Sequence, residues 1–314
     1  MKNLVLAITT FNRMEYLRRL IESFRTTYDR NFQWEIIVAD DGSQDGTIEY
    51  LNGLIIDNIR IQIIRNQRHG IHHQFNSILR TLEGRRFDLC FKSDDDIEFV
   101  QKGWENLYIS AIKERGFDHL CFFDRDWRPE KTLDPPIQTA NLIGFCKGKD
   151  VQGAFFTITP TMIQKVGYMD TANFGFRGVG HVDYTLRACR LGFNDLNSPF
   201  DAKGSHRYLR GQRAAYRSAL PEELLLGLED EGETRRKYAL VEEDRYYIPF
   251  QEPTGRLDVE AEMKYMVRAV RSLQDQKKWY EAEIERLKKW EHENYGHLPR
   301  WFLRIGKVFK IGKG

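Results

Sequence analysis

Four short apolar runs, separated by stretches with helical spacing, constrain the first hundred residues more than any other feature. Residues 4–8, 35–39, 59–64 and 87–92 read as buried strands. Residues 12–28 carry Leu17, Leu20, Ile21 and Phe24 at helical intervals, and 45–54 and 72–82 read as helices too. This β-α-β-α-β-α-β order predicts an α/β fold, a mostly parallel sheet with helices on both faces. Ligands of such sheets collect at the carboxyl ends of the strands. Two acidic clusters, Asp40-Asp41 and Asp94-Asp95-Asp96, fall at those ends.

From 117 to 220 the pattern is less regular. Residues 117–123 and 154–158 are strand-like, and 124–150 read as loop, with Pro129, Pro135 and Pro136. A helix over 184–191 should stop at Gly192. Gly175, Gly178 and Gly180 mark a backbone that bends tightly or approaches a ligand closely.

Composition removes several classes. Of 314 residues, 41% are apolar and 13% aromatic, enough for a real core, so the chain is not disordered as a whole. Forty-eight Lys and Arg against 46 Asp and Glu leave a net charge of +2, which argues against nucleic acid as the main partner. Cys90, Cys121, Cys146 and Cys189 form no CxxC pair, which argues against a zinc cage or disulfide scaffold and for a reducing compartment. The N-terminal apolar run is short for a signal peptide. No stretch approaches the roughly 18 apolar residues of a membrane helix. The expectation is a soluble or peripheral protein.

The tail changes character. Over 259–293 Met263, Met266, Val270, Leu273, Tyr280, Ile284 and Leu287 recur at near-heptad spacing, which fits a coiled coil, a docking helix or a helix on its own domain. Residues 298–314 hold five basic residues and no acidic one, with Trp301, Phe302, Ile305, Val308 and Phe309 able to share a helical face. That pattern fits an interfacial helix on anionic lipid, or a helix buried on a partner.

The acidic triplet is the sharpest chemical feature. Three adjacent carboxylates repel unless a cation is near, and hard ions such as Mg²⁺ or Mn²⁺ bind through one or two carboxylates plus substrate phosphates. On an extended segment Asp94 and Asp96 share a side and Asp95 faces elsewhere. The alternative is a solvated acidic turn. Asp40-Asp41-Gly42-Ser43 reads either as an Asx turn capping the next helix or as a carboxylate aimed at a base or ribose.

Thr9-Thr10-Phe11-Asn12-Arg13, then residues 39–47 (ADDGSQDGT), then Lys92-Ser93-Asp94-Asp95-Asp96-Ile97 resemble in order and spacing the family 2 glycosyltransferases of the GT-A fold. The resemblance covers 1–100 well and 150–210 more loosely. It implies a GT-A domain over 1–220, with a nucleotide-sugar-binding half at 1–100 and an acceptor-binding half at 101–220. Residues 221–258 would connect it to a helical region at 259–314. It implies that Thr9, Phe11, Arg13, Asp40, Asp41, Asn76, Asp94 and Asp95 bind the nucleotide-sugar. Asp94, Asp96 and a late histidine, His206, would hold Mn²⁺ or Mg²⁺, with Asp96 the direct ligand.

The resemblance also implies a general base in 178–183, where the family's Glu-Asp pair is not intact. One register places Asp183 there and is preferred. Another, anchored on Arg187, places His181 there, and a histidine can serve as base near working pH. Two departures touch the donor side. Phe75 precedes Asn76 where many relatives carry Arg, so a nucleotide contact is missing or is supplied elsewhere, by Arg68 or His69, and Lys92 stands where some relatives have Asp.

The expected activity is metal-dependent, inverting transfer from a UDP-sugar to a saccharide or lipid-linked acceptor at the cytoplasmic membrane face. The expected alternatives are a non-catalytic sugar-nucleotide or glycan-binding module and a nucleotidyltransferase. The latter would need a glycine-rich phosphate loop, and residues 9–13 hold no glycine. Self-association through 259–293 and membrane contact through 298–314 complete the expectations.

Overall fold

The computed structural model describes residues 2–127, 129–175, 178–212 and 231–252, with 278, 281–282, 284–286 and 288–289. The chain divides into two compact units, Met1–Leu257 and Asp258–Gly314. The described residues of the second unit are helical. Most of 259–293 and all of the basic segment 298–314 lie outside the described residues. Among the described residues, no helix is long and apolar enough to cross a membrane.

The first unit runs β1 (Asn3–Thr10), α1 (Met14–Thr27), β2 (Gln33–Asp40), α2 (Thr47–Asn52), β3 (Arg60–Arg65), α3 (Ile71–Leu82) and β4 (Leu89–Asp94). It continues through β5 (Ile97–Phe99), α4 (Trp104–Arg115), β6 (Ile137–Gln138), β7 (Leu142–Gly144), β8 (Phe155–Ile158), α5 (Pro160–Val166), α6 (Thr171–Phe174) and α7 (Gly180–Arg190). β9 (Phe200–Ala202), β10 (Leu209–Gly211) and α8 (Glu231–Glu242) follow.

The central sheet has the order β3-β2-β1-β4-β8. Its first four strands are parallel and β8 is antiparallel to β4. Helices cover both faces, so the inner strands are apolar almost throughout. Leu6 and Ile8 of β1 face α1 and α4, packing with Leu17, Phe24, Trp104 and Tyr108. Val5 and Ala7 face the other way, into a cluster with Phe75 and Leu79 of α3 and Tyr184 of α7. This is the α/β architecture that the alternating pattern predicts, and it fits the GT-A fold that the resemblance implies.

The chain steps outward from β1 to β2 to β3, then crosses back through α3 to β4 on the other side of β1. The strand order therefore reverses between β1 and β4. A crevice opens at the carboxyl ends of strands where connections diverge. Thr9, Thr10 and Asp94 stand at that point.

Three expectations change in detail. Residues 117–123 form only an isolated bridge, Cys121 to Phe156, because the N–H groups of His119 and Cys121 turn to the carbonyls of Phe193 and Phe200. α7 starts a turn earlier than Tyr184, at Gly180. The stretch expected only to connect is partly built into the domain. Val241 of α8 is buried with Phe174, Val182 and Leu186, and Ile248 exchanges backbone hydrogen bonds with Val166 and Tyr168.

Candidate active site

The acidic triplet sits where β4 ends and turns. Asp94 is the last strand residue, and Asp95 and Asp96 form the turn before β5. Side-chain alternation therefore stops at Asp94. Asp94 accepts a hydrogen bond from Thr9 Oγ1 at 3.0 Å, and the Lys92 ammonium pairs with the same oxygen, Oδ1. Asp95 and Asp96 instead share Arg13, whose Nη1 lies 3.1 Å from Asp95 Oδ1 and 3.1 Å from Asp96 Oδ2. Thr10 Oγ1 donates to the other oxygen of Asp95 at 2.8 Å. The expectation that Asp94 and Asp96 face one side and Asp95 the other is thus corrected: the turn puts Asp95 and Asp96 together.

Asp95 and Asp96 are buried, and burial is the main reason that both carboxyls are pushed up from the usual carboxylate range. Neighbouring aspartate charges add to this, and Arg13 opposes it. Asp96 Oδ1 is a buried carboxylate oxygen with no hydrogen-bond partner. Such an orphan costs free energy unless a donor or cation reaches it. A hard divalent ion fits that oxygen, since Mg²⁺ and Mn²⁺ take few protein carboxylates and complete their shell with phosphate oxygens and water. Among the described residues, no three His, Cys, Asp or Glu side chains are grouped to hold a metal. Asp94, Asp96 and His206 therefore do not form the expected ligand set. His206 is exposed and lines a recess of about 1090 Å³ with Glu98, Asp124, Asp126 and Arg210, none of them in the triplet.

The second acidic pair is held largely by the backbone, although Asp40 Oδ1, like Asp96 Oδ1, is buried without a hydrogen-bond partner. Asp40 Oδ2 accepts from the N–H groups of Gly42 and Ser43, both at 3.0 Å, which is the Asx-turn reading. Asp41 is fully buried. Its carboxylate accepts from the N–H groups of His69 at 2.9 Å and Gly70 at 2.8 Å, with Arg68 Nη1 at 3.4 Å. Asp41 thus tethers the loop ahead of α3, and its carboxylate is not open to a uracil or ribose. The partly exposed partner of this arrangement is Arg68, whose guanidinium lies 3.4 Å from the centre of the Phe11 ring. Arg68 and Phe11 stand together just beyond the β1 and β2 ends.

Asn76 also turns inward. Its amide donates to Met169 O at 2.9 Å and accepts from Met169 N at 2.8 Å, so it joins α3 to the chain after α5 and does not face a nucleotide. Gln74, two residues earlier and not singled out by any motif, accepts from Thr10 N at 3.0 Å and fixes the end of β1.

The two candidate bases separate clearly. Asp183 is fully buried in α7, paired with Arg187 Nε at 2.9 Å and with Arg245 Nη1 at 3.3 Å. Arg187 also donates to the carbonyls of Val166 and Tyr168. This is a buried ion cluster: Asp183 Oδ1 has an ion pair to Arg245 but no hydrogen bond, and the carboxylate is closed off from solvent. Arg245 had no sequence signal, lying 62 positions beyond Asp183. His181, by contrast, stands at the site. A Cβ on Gly153 would fall 2.6 Å from its Cγ, and Gly153 O accepts from Lys92, the residue paired with Asp94. His181 Nδ1 faces Gly178 O and Nε2 faces Val151 O, each at 3.1 Å. Burial above all, with the Lys92 charge, lowers its pKa and favours the neutral ring.

The chain is similar to known proteins over much of its length. A curated glycosyltransferase of Acanthamoeba polyphaga mimivirus, itself uncharacterized, is 24% identical over 212 residues, 65% of this chain and 79% of its own length. Among solved structures, S. aureus TarS in complex with UDP gives a TM-score of 0.45 at 15% identity, over 77% of this chain and 71% of its own. The mannosyltransferase PcManGT of Pyrobaculum calidifontis, in complex with GDP-Man and Mn²⁺, gives 0.49 at 12% identity, over all of this chain and 82% of its own. Residues 5–163, just over half of the chain, match the family model Glycosyl transferase family 2, and the chain is an enzyme of that glycosyltransferase family.

Proposed function

We propose that the chain transfers a sugar from a nucleotide-diphosphate donor, a UDP-sugar, to an acceptor hydroxyl with inversion and with a divalent cation. The observation that carries this reading is the orphaned, buried Asp96 Oδ1 at the β1/β4 reversal. Asp96, with Asp94 beside it, would hold Mn²⁺ or Mg²⁺. Bound there, the ion supplies Lewis-acid neutralisation of the diphosphate leaving group. Arg13 keeps Asp95 and Asp96 in place, and Thr9 and Thr10 fix Asp94 and Asp95 on the strand ends. Phe11 and Arg68 offer a flat apolar face and a cation for the base.

His181 takes the role of base in this reading, and Asp183 that of an internal tether. A neutral imidazole has one N–H, so it donates to only one of its two carbonyl neighbours. Its other nitrogen keeps a lone pair with no donor. That lone pair would accept the proton of the attacking hydroxyl. The acceptor would be a saccharide, free or lipid-linked, with 298–314 docking the enzyme on the membrane that carries it.

The test is calorimetric titration of UDP and GDP with and without Mn²⁺, on wild type and Asp96→Ala. Mn²⁺-dependent UDP binding lost in the variant supports the reading. No binding of either nucleotide would sink it. A second reading, a binding module without turnover, is favoured by one observation: both His181 nitrogens already face carbonyls. It predicts Mn²⁺-dependent nucleotide binding with no transfer to any acceptor.

A further inference from the structure

Lys92 is a buried cation at the edge of the metal and donor site. It lies on β4, two residues before Asp94 and so on the same strand face. Its side chain is only 3% exposed. The ammonium donates to Asp94 Oδ1 and, at 2.7 Å, to Gly153 O, and lies 5.4 Å from the centre of the Phe156 ring. A lysine is expensive to bury unless its charge and its protons are all met. Asp94 meets the charge, two of the three protons have acceptors and the Phe156 ring lies beside the ammonium, and these contacts hold it in place. Gly153 is itself wedged against His181, so the carbonyl that holds Lys92 is fixed.

We propose that Lys92 is a built-in counter-ion that weakens divalent-cation binding to the empty site, so that metal and nucleotide diphosphate bind together. The proposal rests on the metal-dependent reading above. The triplet offers three carboxylates, and Arg13 and Lys92 set two fixed cations against them. What remains for a divalent ion is one unmatched carboxylate, with the open oxygen on Asp96. An incoming ion is repelled by the Lys92 charge in a poorly screened setting. A diphosphate brings its own negative charge and reverses that balance. The acidic motif alone would predict a site that loads metal first; the lysine makes it depend on the donor.

The experiment is Mn²⁺ binding to the full chain, read by the electron paramagnetic resonance signal of free Mn²⁺, without nucleotide and with UDP or GDP. The variants are Lys92→Met, which removes the charge, and Lys92→Gln, which removes it but keeps donors for Asp94 and Gly153. Lys92→Arg keeps the charge. Wild type and Lys92→Arg should bind Mn²⁺ weakly alone and at least tenfold more tightly with nucleotide. Either neutral variant should bind Mn²⁺ alone about tenfold more tightly than wild type, with a smaller gain from nucleotide. A general loss of packing would weaken binding, not strengthen it. Equal or weaker Mn²⁺ affinity in a folded Lys92→Gln, with nucleotide-assisted binding intact in wild type, would overturn the proposal alone. So would tight Mn²⁺ binding by nucleotide-free wild type, a measurement that needs no variant. Absence of Mn²⁺ binding by wild type with either nucleotide would overturn the metal reading and the proposal with it.

Discussion

Arg187 Nε lies 2.9 Å from Asp183 Oδ2, and both side chains are fully buried on α7. One helical turn separates them, the spacing at which an acid and a base meet on a helix. Arg245, arriving from beyond α8, touches the second oxygen of Asp183 at 3.3 Å and also pairs with Asp170. The cluster ties α7 to the segment after α8. A carboxylate held this way is a tether.

Asp183→Asn should destabilise the fold by about 3–5 kcal/mol, because it leaves the fully buried Arg187 guanidinium without a counter-charge. A large fall in melting temperature is expected, and any surviving folded enzyme should keep its nucleotide affinity. A variant that melts like wild type and is catalytically dead would restore Asp183 as the base.

His181→Gln should keep UDP binding and lower kcat about a hundredfold or more, the size of a lost general base. The base works as the neutral imidazole, and burial lowers its pKa. The acid limb of the kcat profile should therefore fall below the ordinary histidine value of about 6.5. An acid limb unchanged in His181→Gln would assign the proton to another group.

Arg13→Ala should cost about 2–3 kcal/mol, less than a fully buried pair because the Arg13 side chain is 22% exposed. Asp95 and Asp96 would then repel without a counter-charge. Added Mn²⁺ should restore part of the loss, since it supplies the missing charge. Thermal melts of the variant with and without Mn²⁺ measure this, and no metal response would count against a cation at Asp96.

Glu105 is buried at the start of α4. Its Oε1 accepts from Asp29 N at 2.7 Å, and its Oε2 has no partner. Burial pushes its pKa up to about 7. A carboxyl raised in the folded state binds its proton more tightly there than in the unfolded chain. The folded state therefore loses stability as pH rises from the ordinary glutamate range to about 7, and the penalty is complete above that. Glu105→Gln should raise stability by about 2–3 kcal/mol at pH 8 and change little at pH 4. Urea melts at the two pH values decide it, and equal effects at both would remove the titration argument.

Residues 298–314 carry five basic side chains and no acidic one. The full chain should co-sediment with vesicles containing phosphatidylglycerol and should lose them at high salt or on deletion of the segment. Unchanged sedimentation after deletion would end the membrane proposal.

Much of the fold was legible because it follows local periodicity. The apolar runs around Leu6, Ile37 and Phe91 could only be strands covered on both sides, and the spacing of Leu17, Leu20, Ile21 and Phe24 could only be a buried helix face. The positions of Asp94–Asp96 and Asp40–Asp41 at strand ends followed from the same pattern. What could not be read was which way each carboxylate points. Asp41 and Asn76 look like ligand residues in a motif, yet each is claimed by backbone groups of another segment.

The sequence by itself determined the order of elements, the family and the place of the acidic turn, because these depend on spacing along the chain. Only the tertiary structure decided that Asp95 and Asp96 share Arg13, that Lys92 neutralises Asp94, and that His181 and not Asp183 stands beside them. Charge pairing acts across a few ångströms of space, and the partners here lie as far apart in the chain as Asp183 and Arg245. Periodicity carries no record of such distances, so the roles of these groups emerge only when the sheet closes around them.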